Sequence, residues 1–416
     1  MEVVYKHCAG LDVHKRTVVA CVILSDVASE SGTKPSKEIR TFNTMTADLL
    51  NLSDFLTARQ VTHVAMESTG VYWKPIWNLL EANFSLILAN AAHIKAVPGR
   101  KTDVKDSEWI ADLARHGLII QSFVPDRDQR ETRELTRYRT SLVQERASEV
   151  NRLAKTLEGA NIKLGSVATD ITGVSARAML QRLVSGSTDE VEIASLAKGR
   201  LREKTKELEQ ALRGVMGPHQ RFMIAQQLDH IDDLETRIAT ISEEVIKRQL
   251  PFEEDIQRLD TIPGVGRRTA EIIIAELGNN MAQFPTPEQA AAWAGVAPGN
   301  NESAGKRRSG KSRQGNPALR AALVEAANAA ARTKNTYLRA RYHRIATRRG
   351  HKIAVVAIAH TILVIAYRLL QRKEEYRELG QTHGEQRSRE TKERRLVKQL
   401  TSLGYAVTRP NANAAA

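Results

Sequence analysis

Four carboxylates, Asp12, Glu67, Asp103 and Asp106, are the residues of this chain best placed to do chemistry. Asp12 ends the apolar run His7-Cys-Ala-Gly-Leu-Asp12, and Glu67 closes the strand-like run Thr62-His-Val-Ala-Met-Glu67. Asp103 and Asp106 lie three apart at the start of a helical segment, which sets both on one face. If the fold gathers these elements, their oxygen ligands make a site for two divalent cations, Mg²⁺ or Mn²⁺, and for phosphodiester chemistry. Taken singly, acids at element ends are usually caps, and Asp103 could simply cap the helix that carries Asp106. The joint placement of four is what points to a metal site. Lys101 and Lys105 flank the last pair and suit a scissile phosphate.

Two glycine-rich segments further along suit phosphate binding. In Ile262-Pro-Gly-Val-Gly266, followed by Arg267 and Arg268, Gly264 and Gly266 allow a tight turn and close backbone approach. The amides at the next helix start can then hold a phosphate, as in a helix-hairpin-helix, a reading that Arg267 and Arg268 favour over an ordinary tight helix-helix turn. Gly295 to Arg320 is a basic loop carrying Lys306, Arg307, Arg308, Lys311 and Arg313 and feeding a helix at about Pro317. Such a loop suits a nucleic-acid backbone. Its serines, Ser303, Ser309 and Ser312, are not distinguished by composition. Arg339, Arg341, Tyr342, His343 and Arg344 include the residue types of a tyrosine recombinase, but that class draws them from well-separated segments. The cluster therefore reads as surface for a nucleic-acid backbone.

The elements that must position these residues alternate over 1–125. The runs around His7–Asp12 and Thr17–Leu24 form a hairpin; Ile39–Phe42, the Glu67 strand and Phe84–Ala89 follow, with helices near Ala47–Ala58 and Val71–Ala82 between them. Three strands followed by helix-strand-helix-strand is the RNase H-like layout. From about Asp126 the pattern is helical. Ile231, Leu234, Ile238, Ile241 and Val245 alternate by three and four, the seam of a coiled coil or of an antiparallel helix pair. We read 126–251 as a helical arm that also brings protomers together. A mainly helical unit spans 252–373, and 374–416 is a charged, partly disordered tail.

With 416 residues, several domains are expected. A net charge of +14 with only 5% aromatic residues favours a polyanionic partner gripped by its phosphates over one read by stacked bases. The longest apolar run, Ile353 to Tyr367, is too short to span a membrane. Cys8 and Cys21 follow no metal-ligand spacing and read as small core residues in a reducing compartment. With no signal or transit composition at the start, a cytoplasmic location is expected.

Gly10-Leu-Asp-Val-His-Lys15, Met66-Glu-Ser-Thr-Gly-Val-Tyr72, Arg100-Lys-Thr-Asp-Val-Lys-Asp106, the Ile-Pro-Gly-Val-Gly turn and Gly295 to Arg320 occur in this order around a helical middle. Together they resemble the IS110 family of insertion-sequence transposases, from residue 7 to about 370. The resemblance implies an N-terminal RuvC-like domain whose catalytic and metal-binding acids are Asp12, Glu67, Asp103 and Asp106. It also implies a C-terminal transposase domain with a catalytic serine. The family's Ser-Gly-Gly-Lys-like motif reads Ser303-Ala-Gly-Lys306 here, which selects Ser303; Ala304 replaces the usual first glycine, and Ser107 stands where alanine commonly follows the last aspartate. Further implied are serine attack on DNA, donor and target DNA as partners, assembly from a dimer to a synaptic tetramer, nucleoid association when active, and a structured noncoding guide RNA encoded by the element. The helix from Arg127 to Arg152, with Arg130, Arg133 and Arg137, is a candidate RNA-facing surface, a solvated helix with internal Glu/Arg pairs being the alternative. A RuvC-like endonuclease of branched DNA, using metal-activated water, is the alternative function.

Overall fold

The computed structural model describes residues 2–25, 35–68, 70–90, 94, 97, 106–299, 301–303, 306–310, 312 and 314–407, with backbone alone over 301–303, 306–309, 384–388 and 390–392. The chain divides into two compact units, Met1–Arg127 and Asp128–Ala416.

In the first unit β1 (His7–Val13) pairs antiparallel with β2 (Thr17–Leu24), and β2 with β3 (Ser36–Asn43). On the other side of β1, β4 (His63–Glu67) and then β5 (Ser85–Ala89) add in parallel, giving the order β3-β2-β1-β4-β5. Parallel neighbours need crossovers: α1 (Thr46–Ala58) leads from β3 into β4, and α2 (Trp73–Leu80) leads from β4 into β5. The period of two along each strand decides what each face holds. Ala9, Leu11 and Val13 join Val64, Met66 and Leu88 in a core closed by Leu52, Phe55, Leu56, Ile76 and Leu80 of the two helices. Cys8, Gly10 and Asp12 lie on the opposite face, beneath α3 (Asp106–Arg115), whose Ile110, Ala111, Leu113 and Ala114 are buried.

Among the described residues the second unit is helical apart from one hairpin. Its two long helices, α4 (Arg127–Gly159) and α9 (Pro218–Gln249), enclose the shorter α5 (Leu164–Val167), α6 (Val174–Val184), α7 (Glu190–Ser195) and α8 (Thr205–Leu212). Ion pairs Glu131–Arg248, Arg146–Glu235 and Glu149–His230 run in opposite order along α4 and α9, so the two are antiparallel. Leu234 and Ile238 pack on Leu142, and Ile231 enters the core formed with Leu153, Leu157 and Met179. Of the two pairings the spacing allows, the stripe makes the antiparallel helix pair within the chain. The apolar stripe of α9 packs on Leu142 and Val143 of α4.

The remainder comprises α10 (Glu253–Asp260), α11 (Arg267–Leu277), α12 (Pro287–Trp293), the hairpin of β6 (Asn301–Ser303) and β7 (Lys306–Ser309), then α13 (Pro317–Arg332), α14 (Tyr337–Arg349), α15 (His351–Arg372) and α16 (His383–Ser402). At 22 residues α15 is long and apolar enough to cross a membrane, longer than the apolar run alone suggests. It is instead a core helix. Ala354, Ile358, Ile362, Leu363, Ala366 and Leu370 are buried where α12, α13 and α14 pack around it. The charged tail carries α16, and Thr408 onward lies outside the described residues.

Candidate active site

β1 and β4 are parallel neighbours paired as far as Leu11 and Met66. Asp12 and Glu67 each stand one residue further, on the same face of adjacent strands whose backbones run ~5 Å apart. Gly10 brings in the third acid. A Cβ at Gly10 would overlap Ala111 N and Ser107 O, so only glycine lets the α3 backbone rest directly on the strand. The Cys8 thiol donates to Ala111 O at 3.6 Å while Gly10 faces Ser107, so α3 runs antiparallel to β1 and its first residue, Asp106, arrives beside Asp12.

The electrostatics report the same convergence. Burial, and with it the neighbouring charges of Asp106 and Glu67, pushes the Asp12 carboxyl above its ordinary range; His14, with Nε2 3.2 Å from Asp12 Oδ2, pulls it back. His14 was not singled out by sequence reasoning, although it sits two residues from Asp12 in a run that was. Among the described residues, no three carboxylate, imidazole or thiol groups are gathered closely enough to hold a metal ion. The donor set still has hard-cation chemistry: it offers oxygen ligands, and mutual repulsion that a cation would relieve. Asp103, Lys101 and Lys105 lie outside the described residues.

Ser303 ends β6 and pairs with Lys306 at the start of β7, and Glu302 pairs with Arg307; Arg308 follows on the same strand. Lys311 and Arg313 lie outside the described residues. The base of this hairpin is held tightly. A Cβ at Gly315 would overlap the backbone of Gly295, and Asn316 N donates to Trp293 O at 2.9 Å. Arg320 Nη1 donates to Gly295 O at 2.8 Å and to Ser312 Oγ at 3.0 Å. Asn316 caps α13 by accepting from Leu319 N at 3.1 Å, while its Nδ2 donates to Glu276 Oε2 at 2.6 Å.

Glu276 is a centre that sequence reading missed. Its fully buried carboxylate accepts from Arg137 Nε at 2.7 Å and Nη2 at 2.9 Å, with Arg133 Nε 3.3 Å away. One acid thus ties α4, the end of α11 and the foot of the serine hairpin together. The signal was a lone glutamate inside the apolar run Ile-Ile-Ile-Ala-Glu-Leu. The same contacts engage two arginines of the candidate RNA-facing surface: Arg133 is buried, also donating from Nε to Ala275 O at 3.1 Å, and Arg137 pairs with Glu276 while staying half-exposed. Arg130 is half-buried on the same helix.

At the glycine turn, Gly264 has φ +89° and would, with a Cβ, overlap Ala326 O and Ala330 N. Its glycine serves close packing on α13 as well as the turn. Gly266 precedes α11 without a side-chain cap and faces open space. Arg267 grips Glu253 through Nη1 at 2.8 Å and Nη2 at 2.7 Å, with Nε on Glu271 at 3.1 Å, and is committed to holding α10 against α11. Arg268 is exposed.

Residues 9–162 match a family model of the IS110 DEDD type, described as a transposase, and residues 256–343 match one described as transposase of the IS116/IS110/IS902 family. The chain belongs to the IS110 family of transposases. The first match takes in Asp12, Glu67, Asp106 and α4; the second takes in the glycine turn, Glu276 and the serine hairpin. Membership in this family makes the chain a DNA-processing enzyme. A Pseudomonas aeruginosa protein named as a probable family 20 transposase is 28% identical over 331 residues, 78% of this chain and 88% of that protein. The transposase for insertion sequence element IS1111A of Coxiella burnetii is 36% identical over 143 residues, covering 32% of this chain and 38% of that one.

Proposed function

We propose that this IS110-family transposase excises and inserts an insertion sequence by serine attack on DNA phosphodiesters, assisted by carboxylate-bound metal. The observation that carries the reading is the convergence of Asp12, Glu67 and Asp106 at one end of a mixed sheet of order β3-β2-β1-β4-β5, which supports a RuvC-like domain. Asp12, Glu67, Asp103 and Asp106 would hold two Mg²⁺ or Mn²⁺ ions; such ions polarise a phosphate and stabilise a departing oxygen.

The protein's own residues do the rest. Ser303 Oγ attacks phosphorus, its proton passing to solvent, and the bond from phosphorus to one DNA oxygen breaks, leaving a free hydroxyl end and a phosphoserine link. A hydroxyl from the exchanged strand then attacks that phosphoserine and restores Ser303. Lys101, Lys105, Lys306, Arg307, Arg308, Lys311 and Arg313 neutralise the backbone. The open N-terminus of α11 at Gly266, with Arg268, adds a phosphate contact. Donor and target DNA are chosen through pairing with an element-encoded RNA, and protomers assemble from a dimer to a synaptic tetramer. The net charge of +14 supports polyanionic partners.

Ser303→Ala and Asp12→Asn, assayed with Mg²⁺ on DNA spanning an element end, separate this reading from hydrolysis by metal-activated water. Both variants should lose strand breakage and covalent adducts. Cleavage surviving intact in Ser303→Ala would instead make the enzyme a hydrolytic nuclease.

A further inference from the structure

Helices α4 and α14 are both rich in arginine, and they are partnered differently. On α4, Arg137, Arg139, Arg146 and Arg152 reach Glu276, Glu271, Glu235 and Glu149 at 2.6–2.7 Å. On α14, whose sequence YLRARYHRIATRR contains no acid, Arg339, Arg341, Arg344, Arg348 and Arg349 have no carboxylate within 4.0 Å among the described residues. Like charges three and four apart on a helix repel. Glu378, the acid that does meet this helix, uses its carboxylate on Tyr337 N and Gly380 N, both at 2.8 Å, and on the Tyr376 hydroxyl at 3.2 Å.

The unpaired charges border a groove. Tyr337, Arg341, Arg344 and Thr347 follow three-to-four spacing along one face of α14 and line a cavity of about 460 Å³ together with Gln381 and Thr382. The ten steps of helix from Tyr337 to Thr347 make that side ~15 Å long. All six of these side chains can donate hydrogen bonds and none is acidic. Arg341 Nη1 donates to the Tyr337 hydroxyl at 3.2 Å, whereas its Nε is shielded from solvent and has no acceptor.

The aromatic residues beside the groove are already occupied. The Tyr342 hydroxyl is 2.8 Å from His351 Nδ1, and the Tyr337 ring meets His383 edge-on with centroids 5.8 Å apart. With no free stacking platform, the groove suits a regular phosphate backbone better than splayed RNA bases. We propose that the groove along α14 binds the phosphodiester backbone of duplex DNA, through residues other than the carboxylates and Ser303.

The test uses the full chain in EDTA, so its outcome is independent of the acid and serine chemistry. Binding of fluorescent DNA duplexes of unrelated sequence, and of one structured RNA hairpin, is measured across a KCl series for the wild type, for Arg341→Gln/Arg344→Gln, and for Lys204→Gln/Lys206→Gln as a control of equal charge. Circular dichroism checks that α14 persists. The groove variant should lower the slope of log K against log salt by about two, equally for all duplexes, since each phosphate contact contributes roughly 0.9. The control should keep the wild-type slope. An unchanged slope in the groove variant, an equal drop in the control, or a loss confined to a structured RNA hairpin would overturn the proposal.

Discussion

Replacing Glu276 tests whether one buried acid organises the foot of the serine hairpin. In Glu276→Ala, the Arg133 side chain, only 10% exposed, loses its carboxylate, as does Arg137, whose side chain is 46% exposed. Stranding a buried charge costs about 3–5 kcal/mol. Because Arg137 can turn to water, the lower end, about 3 kcal/mol, applies here. Asn316 Nδ2 loses its acceptor as well, so the first turn of α13 should loosen most. Glu276→Gln keeps the shape and one acceptor oxygen, and should cost roughly half as much. Hydrogen exchange read by mass spectrometry gives the local answer. About 3 kcal/mol corresponds to roughly hundredfold faster exchange in the last turn of α11 and the first of α13, while the sheet of the first unit stays unchanged. Wild-type exchange at α13 in Glu276→Ala would refute the reasoning, because the acid would then not hold that segment.

Gly10→Ala drives a methyl into the α3 backbone at Ala111 and Ser107 and should cost ~1–3 kcal/mol by thermal denaturation, together with loss of strand cleavage as Asp106 is displaced. Unaltered stability and activity would count against the close helix-strand contact. Burial pushes the thiol of Cys8 up to about 12 and that of Cys21 up to about 11, so a thiol reagent at pH 8 should modify neither in the native protein and both after denaturation. Burial alone would raise the Asp255 carboxyl, but Lys373, Asn279 and Arg258 hold it below the usual range. Its stabilisation is therefore present above the unfolded value of 3.8 and is lost as pH falls through the lower folded value. Asp255→Asn should accordingly lower Tm at pH 7, with the gap from wild type closing in acid; a gap independent of pH would argue against it.

Much of the first unit was legible because strand alternation and crossover order are local signals. Runs ending at Asp12, Glu67 and Ala89 became β1, β4 and β5 within a residue or two. The role of Gly10 was not legible, since the helix it receives begins almost a hundred residues later. The partners of the α4 arginines were not legible for a related reason: helical spacing with nearby acids suggests local pairs, whereas Arg137 finds its partner 139 residues away, at Glu276. The stripe on α9 was read correctly as apolar, but such a stripe does not say whether its partner is another copy or the same chain. Here the answer lay in α4, whose Leu142 supplies the complementary surface.

The central claim is that Ser303 forms the covalent link while the carboxylates make that step possible. It is tested most directly by trapping the enzyme on nicked element-end DNA with Mg²⁺ and mapping the adduct by mass spectrometry. The account predicts a phosphoserine-linked nucleotide on the peptide containing Ser303, absent without metal and absent in Asp12→Asn. DNA cleaved at the same site with free ends, and no nucleotide on that peptide, would contradict it.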